Sequence, residues 1–443
     1  MKTLLLSLSA LFVGFLIVPQ ATAVPSYARQ TGLACSGCHY TPPELNRAGR
    51  MFKLMGYADK KNKDEVTSPE DKKHAGLDLL ATLPLSAWFE TSFTNTKAPQ
   101  PSTQNGNFEF PQDISLFLAG AWSTHIGSFL QVTYSTQDDH FSMDNTDIRY
   151  ANKRQIAGKD LVYGLTLNNN PTVEDLWNST PAWGFPFIAS DAAPAPAAAP
   201  LIQGGLAEDV AGLGAYTMWN QHLYVAGSIY RSGHIGTSQP PTGQDFTVNI
   251  RGIAPYWRVA WQQDSAKNSF EIGAYGLHVK ATPGAITGLE DSYTDTAADF
   301  QFDRTVGKDV FSLRSTYIRE NSSLPASLTA AIADRNRHHL DAFNANAEYH
   351  FGNRYSTAFG WFTTSGTSDT LLYAPAPVSG SGNGNPRSSG YILNFSIWPI
   401  QNLDLAVQYT GYTRFNGAGT NYDAAGRNAN DNNTVYVLAR FVF

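Results

Sequence analysis

Cys35, Cys38 and His39 lie in the run CSGCH, and the chain has no other cysteine. Two cysteines separated by two residues, with histidine directly after the second, is the spacing for covalent c-type haem attachment. Two thioether bonds would hold the porphyrin edge, and the adjacent imidazole would ligate the iron from one side. A disulfide, a redox dithiol and half of a zinc site share the CxxC spacing. Zinc needs further ligands of matching spacing, and there is no second cysteine pair. The expectation is one covalent haem c, hence a one-electron centre, with His39 as its proximal iron ligand.

The residues after this run read as a short helix. Pro43 suits a helix N1 position, Leu45, Ala48, Phe52 and Met55 follow at helical spacing, and Gly56 could close the helix. That face is expected to pack on the porphyrin. Met55, with Met51 one turn earlier, is a candidate distal iron ligand, as is His74; a barrel histidine or no protein ligand are the alternatives. A Met/His pair would raise the potential relative to two histidines. Arg29 and Arg50 are candidates for neutralising haem propionates, or are solvated surface charges. A polar run over 59–74 then reads as a linker. A unit of about fifty residues buries too little surface to shield a haem alone, so it is expected inside or against a larger body.

Residues 1–23 read as a secretory signal peptide: Lys2 supplies a positive start, Leu4 to Val18 is apolar, and Ala21 to Ala23 is an A-x-A cleavage site. The apolar run is short of the ~20 residues of a spanning helix. The net charge of -6 and the lack of a long basic run speak against a nucleic-acid partner. After residue 23 no apolar stretch is long enough for a membrane helix, and only 15% of residues are charged.

From about Leu83 to Phe443 the chain alternates with a period of two. Phe343, Ala345, Ala347, Tyr349 and Phe351 share one face; Asn344, Asn346, Glu348 and His350 share the other. Leu403, Leu405, Val407 and Tyr409 alternate with Asp404, Ala406, Gln408 and Thr410. About sixteen strands are expected, at 84–94, 113–124, 126–135, 145–151, 160–168, 211–219, 222–231, 249–262, 268–280, 293–303, 309–319, 339–351, 354–365, 388–398, 403–414 and 434–443. Pro255 weakens the eighth, the fourth and tenth are poorly patterned, and the link at 152–159 fits badly. Every second connection is short, whereas the others, such as 95–112, 169–210, 320–338 and 366–387, run from about nine to about forty residues. That segregation, with an even strand count, is the pattern of bacterial outer-membrane barrels. Trp88, Trp122, Trp219, Trp257, Trp361 and Trp398 lie near strand ends, where interface girdles or lumen packing would put them. The terminal Phe443, closing an amphipathic strand, resembles the C-terminal assembly signal of such barrels.

The fold expected is an all-β membrane protein: an antiparallel transmembrane β-barrel of about sixteen strands, its lumen plugged by a small N-terminal α-helical c-type haem domain. The division is 1–23 signal peptide, 24–76 haem domain and linker, 77–443 barrel. Sixteen strands put both barrel termini on the periplasmic side, so the haem segment enters from there. The long loops, including the runs at 191–200 and 379–387, are expected to face outward. Among their acids, Glu174, Asp175, Glu208 and Asp209 could attract a cation or be merely solvated.

The run from Pro25 to His39 (PSYARQTGLACSGCH), followed by Pro43 to Asn46, Gly49 and Arg50, and Phe52 to Tyr57, resembles the fused monohaem cytochrome–porins of the outer membrane. The specific similarity covers about thirty-five residues; beyond them only the architecture matches. Iron-oxidising bacteria use members of that family as Fe(II) oxidases, although members often have Asn where this chain has Met55. The resemblance implies haem attachment at Cys35 and Cys38, ligation by His39, and electron transfer from extracellular Fe(II) to soluble periplasmic cytochromes. A conduit for another donor, one discharging electrons outward, and a diffusion porin gated by the haem segment are the alternatives. An electron conduit needs no acid, base or nucleophile, and if it is an enzyme it is an iron(II) oxidase.

Overall fold

The computed structural model describes residues 26–58, 83–180, 184–204, 206, 210–233, 249–283 and 287–443. The expected signal peptide, the linker over 59–74 with His74, and Glu208 and Asp209 lie outside the described residues.

Among the described residues, seventeen strands form one antiparallel sheet. They are β1 (Leu85–Thr96), β2 (Asn107–Glu109), β3 (Asp113–Ala121), β4 (Ile126–Ser135), β5 (His140–Ile156), β6 (Lys159–Asn168), β7 (Val210–Trp219), β8 (Leu223–Ser232) and β9 (Ala254–Asp264). There follow β10 (Asn268–Ala281), β11 (Asp291–Val306), β12 (Asp309–Ser323), β13 (Arg337–Phe351), β14 (Tyr355–Gly366), β15 (Ser388–Ile400), β16 (Leu403–Arg414) and β17 (Thr434–Val442). The short β2 and the longer β3 both pair with β1, β2 at Ser92–Thr94 and β3 at Leu85–Phe89, so together they make one stave interrupted around Pro111. β17 pairs with β1, with Trp88 opposite Val442 and Thr96 opposite Thr434, which closes the sheet. The molecule is a closed antiparallel barrel of sixteen staves.

Closure pairs both edges of the sheet, which is what a chain needs to satisfy its backbone in lipid. The side chains fit that setting. Outward-facing positions are apolar and exposed, as at Phe395 (47%), Trp361 (44%) and Trp257 (43%). Many inward positions are polar: Arg149, Arg258, Arg314 and Arg440 are all buried in the interior with carboxylate partners. An apolar outside around a charged inside inverts the order of a water-soluble sandwich and fits a membrane-spanning barrel. Trp88 and Trp398 turn inward instead and line a cavity described below.

Several details differ from expectation. The misfit at 152–159 disappears because β5 and β6 run on to a turn at Ala157 and Gly158, both with positive φ (51° and 73°), as a tight hairpin requires. The same lengthening of β5 reduces the connection from β4 to 136–139, so one link at the long-loop end is short. Pro255 does no damage because β9 begins only one residue before it, five residues later than periodicity suggested. The loop over 169–209 does not stay outside. Its segment from Asn170 to Asn178 is buried, and it crosses the lumen from β6 toward the opposite wall. Trp177 donates its indole N–H to Gln262 of β9 (3.2 Å), Thr316 of β12 donates to the Ser179 carbonyl (3.1 Å), and Gln408 of β16 donates to the Ile188 carbonyl (3.2 Å).

The N-terminal segment packs against the inner wall toward the short-turn end of the barrel. It contains α1 (Ser26–Thr31), a single 3-10 turn at Cys35–Gly37, and α2 (Arg47–Leu54). Helix α2 begins four residues after Pro43, because Asn46 takes the N-cap and accepts from the Gly49 amide (3.0 Å). Gly56 ends it as expected, with φ of 72°; Gly56 N–H donates to Lys53 and Tyr57 N–H to Phe52, a Schellman closure. The segment's contacts with β3 and β10 fall near the short turns, and Tyr57 reaches farther, to the middle of β5. Gln30 donates to the Ala119 carbonyl (3.0 Å), Tyr57 to Asp147 (2.6 Å), and Arg50 to Ser269 (2.8 Å).

Candidate functional site

Cys35, Cys38 and His39 line one large apolar cavity between the N-terminal segment and the barrel wall. The segment contributes Tyr27, Leu33, Leu45, Gly49, Phe52 and Lys53; β1, β3, β4, β15 and β17 contribute Trp88, Phe117, Phe129, Trp398 and Val442. The cavity encloses about 1280 Å³ of atom-free space, part of it open to solvent. What suits a flat apolar group there is the lining, which is overwhelmingly apolar.

The CxxCH turn is fixed by local hydrogen bonds. Cys38 and His39 amides donate to the Cys35 carbonyl (3.1 and 2.9 Å), and Asn46 N–H donates to the Cys38 carbonyl (2.9 Å). The Asn46 side chain donates to the Ser36 and Gly37 carbonyls (3.3 and 3.2 Å). Asn46 thus caps α2 and clamps the CxxCH turn with one side chain, a role helical periodicity does not reveal. Gly49 permits the contact: a Cβ there would sit 2.2 Å from the Cys38 carbonyl oxygen.

No disulfide joins Cys35 and Cys38, and burial pushes each thiol above its ordinary pKa. Thiol-exchange CxxC pairs need the opposite shift. The donor atoms of Cys35, Cys38 and His39 do not converge as a metal-ligand group; among the described residues the converging group is Glu44, Glu348 and His350. Burial lowers the His39 pKa, keeping the imidazole neutral, the form that ligates iron. Its Nδ1 is buried and has no hydrogen-bond partner.

The structure divides the remaining candidates. Leu45 and Phe52 face the cavity, but Met51 and Met55 do not line it. Both methionines pack against the cluster of Leu54, Val162, Leu176, Trp177, Tyr216 and Met218 on the other side of α2. The cavity side of the helix carries Gly49, Phe52 and Lys53. Neither arginine lines the cavity. Arg29 donates to the Leu85 carbonyl, and Arg50 is held by Ser269, the Leu45 carbonyl and Asp303 (3.5 Å). Arg440 does line it, with its guanidinium 4.6 Å from the Trp88 ring centroid. Glu174 and Asp175 are not solvated loop acids; both are buried in the lumen, and Asp175 lies 3.7 Å from Arg258.

The inward loop meets the plug directly. Asn178 accepts from the Leu45 amide (2.8 Å), and Lys53 donates to the Asp175 carbonyl (2.7 Å). Burial, reinforced by Arg149, lowers the Lys53 pKa to about 7. The folded protein therefore binds fewer protons than the unfolded chain between about pH 7 and the ordinary lysine value of 10.5. Stability rises with pH where the unfolded state binds more protons. The thermal midpoint of the plug is expected to climb between pH 7 and 10, and Lys53→Met should flatten that climb while stabilising most at pH 6. Equal pH profiles for the two proteins would remove the buried-ammonium account.

No protein-family model and no curated protein matches the chain. Similar solved structures are outer-membrane proteins. In vitro-folded OmpT of Vibrio cholerae shares 9% identity at a TM-score of 0.44, covering 86% of this chain and 100% of that one. The outer membrane channel DcaP of Acinetobacter baumannii shares 11% at 0.47, covering 81% and 96%. An anion-selective porin from Comamonas acidovorans shares 10% at 0.45, covering 81% and 98%. Likeness at this level adds nothing to the closed strand pairing, on which the assignment of a porin-like barrel rests.

Proposed function

We propose that this chain is an outer-membrane electron conduit of the fused monohaem cytochrome–porin kind, which carries electrons from an extracellular donor, Fe(II), to soluble periplasmic cytochromes. One observation carries the reading: a CxxCH motif forms part of the wall of a large apolar cavity inside a membrane-type barrel. A haem c bound there would supply a one-electron centre. Cys35 and Cys38 would hold it covalently, and neutral His39 would ligate its iron. Leu45, Phe52, Trp88, Phe117 and Phe129 supply the apolar surroundings, which exclude water from one side. With Met51 and Met55 turned to the opposite face of α2, neither is the distal ligand in this reading.

The short-turn end, where both barrel termini and the plug lie, is the periplasmic end. The donor side is then the long-loop end, and the barrel separates the two waters. The rival reading, a diffusion porin, needs an open lumen. Trp177 and its buried neighbours from Asn170 to Asn178, held by Arg258 of β9, lie across it, which favours a conduit.

The test is purified protein in proteoliposomes, with an impermeant electron acceptor sealed inside and Fe(II) added outside. Acceptor reduction is expected, with loss in His39→Ala to the rate of empty liposomes. Haem-loaded protein that passes small ions freely but leaves the acceptor oxidised would establish the porin instead.

A further inference from the structure

A second site lies behind the CxxCH motif, where the segment from Tyr40 to Leu45 meets the wall. Glu44 of the plug and Glu348 and His350 of β13 are 0%, 3% and 2% exposed. One ligand atom from each lies within 4.8 Å of the others. His350 Nε2 stands 3.5 Å from Glu44 Oε2 and 3.7 Å from Glu348 Oε2. Two donors each ~2.1 Å from a tetrahedral ion stand ~3.4 Å apart, so these separations suit a small cation between them better than direct contact.

The remaining atoms of the three side chains are already engaged. Arg314 donates to the other oxygen of Glu44 and to Oε1 of Glu348 (2.9 Å), which turns the two Oε2 atoms toward His350. His350 Nδ1 lies 3.3 Å from the Thr41 hydroxyl, and the ring stacks on Tyr40 at 5.4 Å. With Nδ1–H donating to Thr41, Nε2 carries the lone pair, the usual arrangement of a metal-binding imidazole oriented by a second group. Yet Glu44 Oε2 and His350 Nε2 have no hydrogen-bond partner in a fully buried place. Buried polar atoms left facing one another unpaired are costly. Two carboxylates against one guanidinium also leave surplus negative charge.

We infer that Glu44, Glu348 and His350 bind one divalent first-row cation, which ties the plug to the barrel wall. Carboxylate and imidazole donors suit Fe(II), Mn(II) or Zn(II) rather than a soft Cu(I). Two ligands come from the wall and one from the plug, so the ion would hold the segment just after His39 in place. The inference does not depend on haem and survives if the conduit reading fails.

Mn(II) is the probe, added to the purified full-length protein, with paramagnetic resonance counting ions retained after desalting. One tightly held Mn(II) per chain is expected, displaceable by Zn(II). Glu44→Gln keeps the shape of the side chain and should weaken binding ~100-fold or more, as should His350→Ala, since even supporting-residue losses cost 10–100-fold. Heat-modifiable migration on gels reports that each barrel has folded. If His350→Ala does not fold, Glu44→Gln decides the question. Wild-type protein that retains no stoichiometric ion, as a proton shared between Glu44 and Glu348 would produce, overturns the inference. So does Mn(II) binding that Glu44→Gln leaves unchanged.

Discussion

Replacing Cys35 and Cys38 together by serine is expected to abolish haem that survives denaturation, while the barrel still assembles. Thioether bonds need both sulfurs, and serine supplies the same shape without the chemistry. The described part of the plug spans only residues 26–58. A unit that small buries too little surface to retain a haem strongly by packing alone. His39 and the apolar wall would remain, so weak reversible binding is the most the variant should show. Haem staining of a denaturing gel reads the first outcome, and heat-modifiable migration reads barrel assembly. The strand pairing makes no use of either side chain, so assembly should not change. Wild-type protein without denaturation-resistant haem, or a double-serine protein that keeps it, would sink the electron-conduit reading.

Arg258→Leu should release the loop that crosses the lumen. The Arg258 guanidinium lies 2.5 Å from Asp299, 3.2 Å from Glu271 and 3.7 Å from Asp175, and all four side chains are buried. It also stacks on Trp177 at 5.0 Å and Tyr275 at 5.1 Å. Asp175 in turn accepts from the Trp177 (2.9 Å), Ser179 (2.6 Å) and Thr180 (3.0 Å) amides, so it shapes the inward turn. Removing the cation leaves three buried carboxylates facing one another, a loss of about 3–5 kcal/mol for a buried pair of this type. The cheapest relief is for the segment bearing Asp175 and Trp177 to leave the lumen and hydrate. Higher single-channel conductance and faster proteolysis within the loop over 169–209 are the expected results. Arg258→Lys should fall between, keeping the charge without the planar fork. A variant with wild-type conductance and an intact loop would mean that packing at Trp177, not charge, holds the loop inside.

The barrel was legible because its sorting rule acts residue by residue. A strand between lipid and lumen must alternate, and a slip of one position would turn every side chain to the wrong medium. The alternation at 339–351 therefore read correctly, with Asn346, Glu348 and His350 inward and Phe351 outward. Boundaries were less legible. The ends of β5 and β6 extend past the lipid-like pattern, where residues such as Lys153, Arg154 and Gln155 are exposed on both faces and carry no signal.

The plug showed a different limit. Periodicity grouped Met55 with Leu45, Ala48 and Phe52 on one face, but in the structure Leu45 and Phe52 meet the cavity and Met55 does not. Asn46 and Gly49 decided that by seating the helix on the Cys38 carbonyl, which put the methionines against Trp177 and Tyr216. Glu174 and Asp175 read as loop acids because burial of a charge depends on distant partners, here Ser228, Asn168 and Arg258.

The sequence alone determined a barrel of about sixteen staves, its inside and outside, and the CxxCH motif before its first strand, because each follows from local spacing and side-chain type; the strand pairing fixed the count at sixteen. Tertiary structure alone decided that the loop after β6 turns inward, that the methionines face away from the cavity, and that Glu44 meets Glu348 and His350. Those contacts join residues far apart in the chain, and only closure of the sheet around the plug brings them within reach of one another.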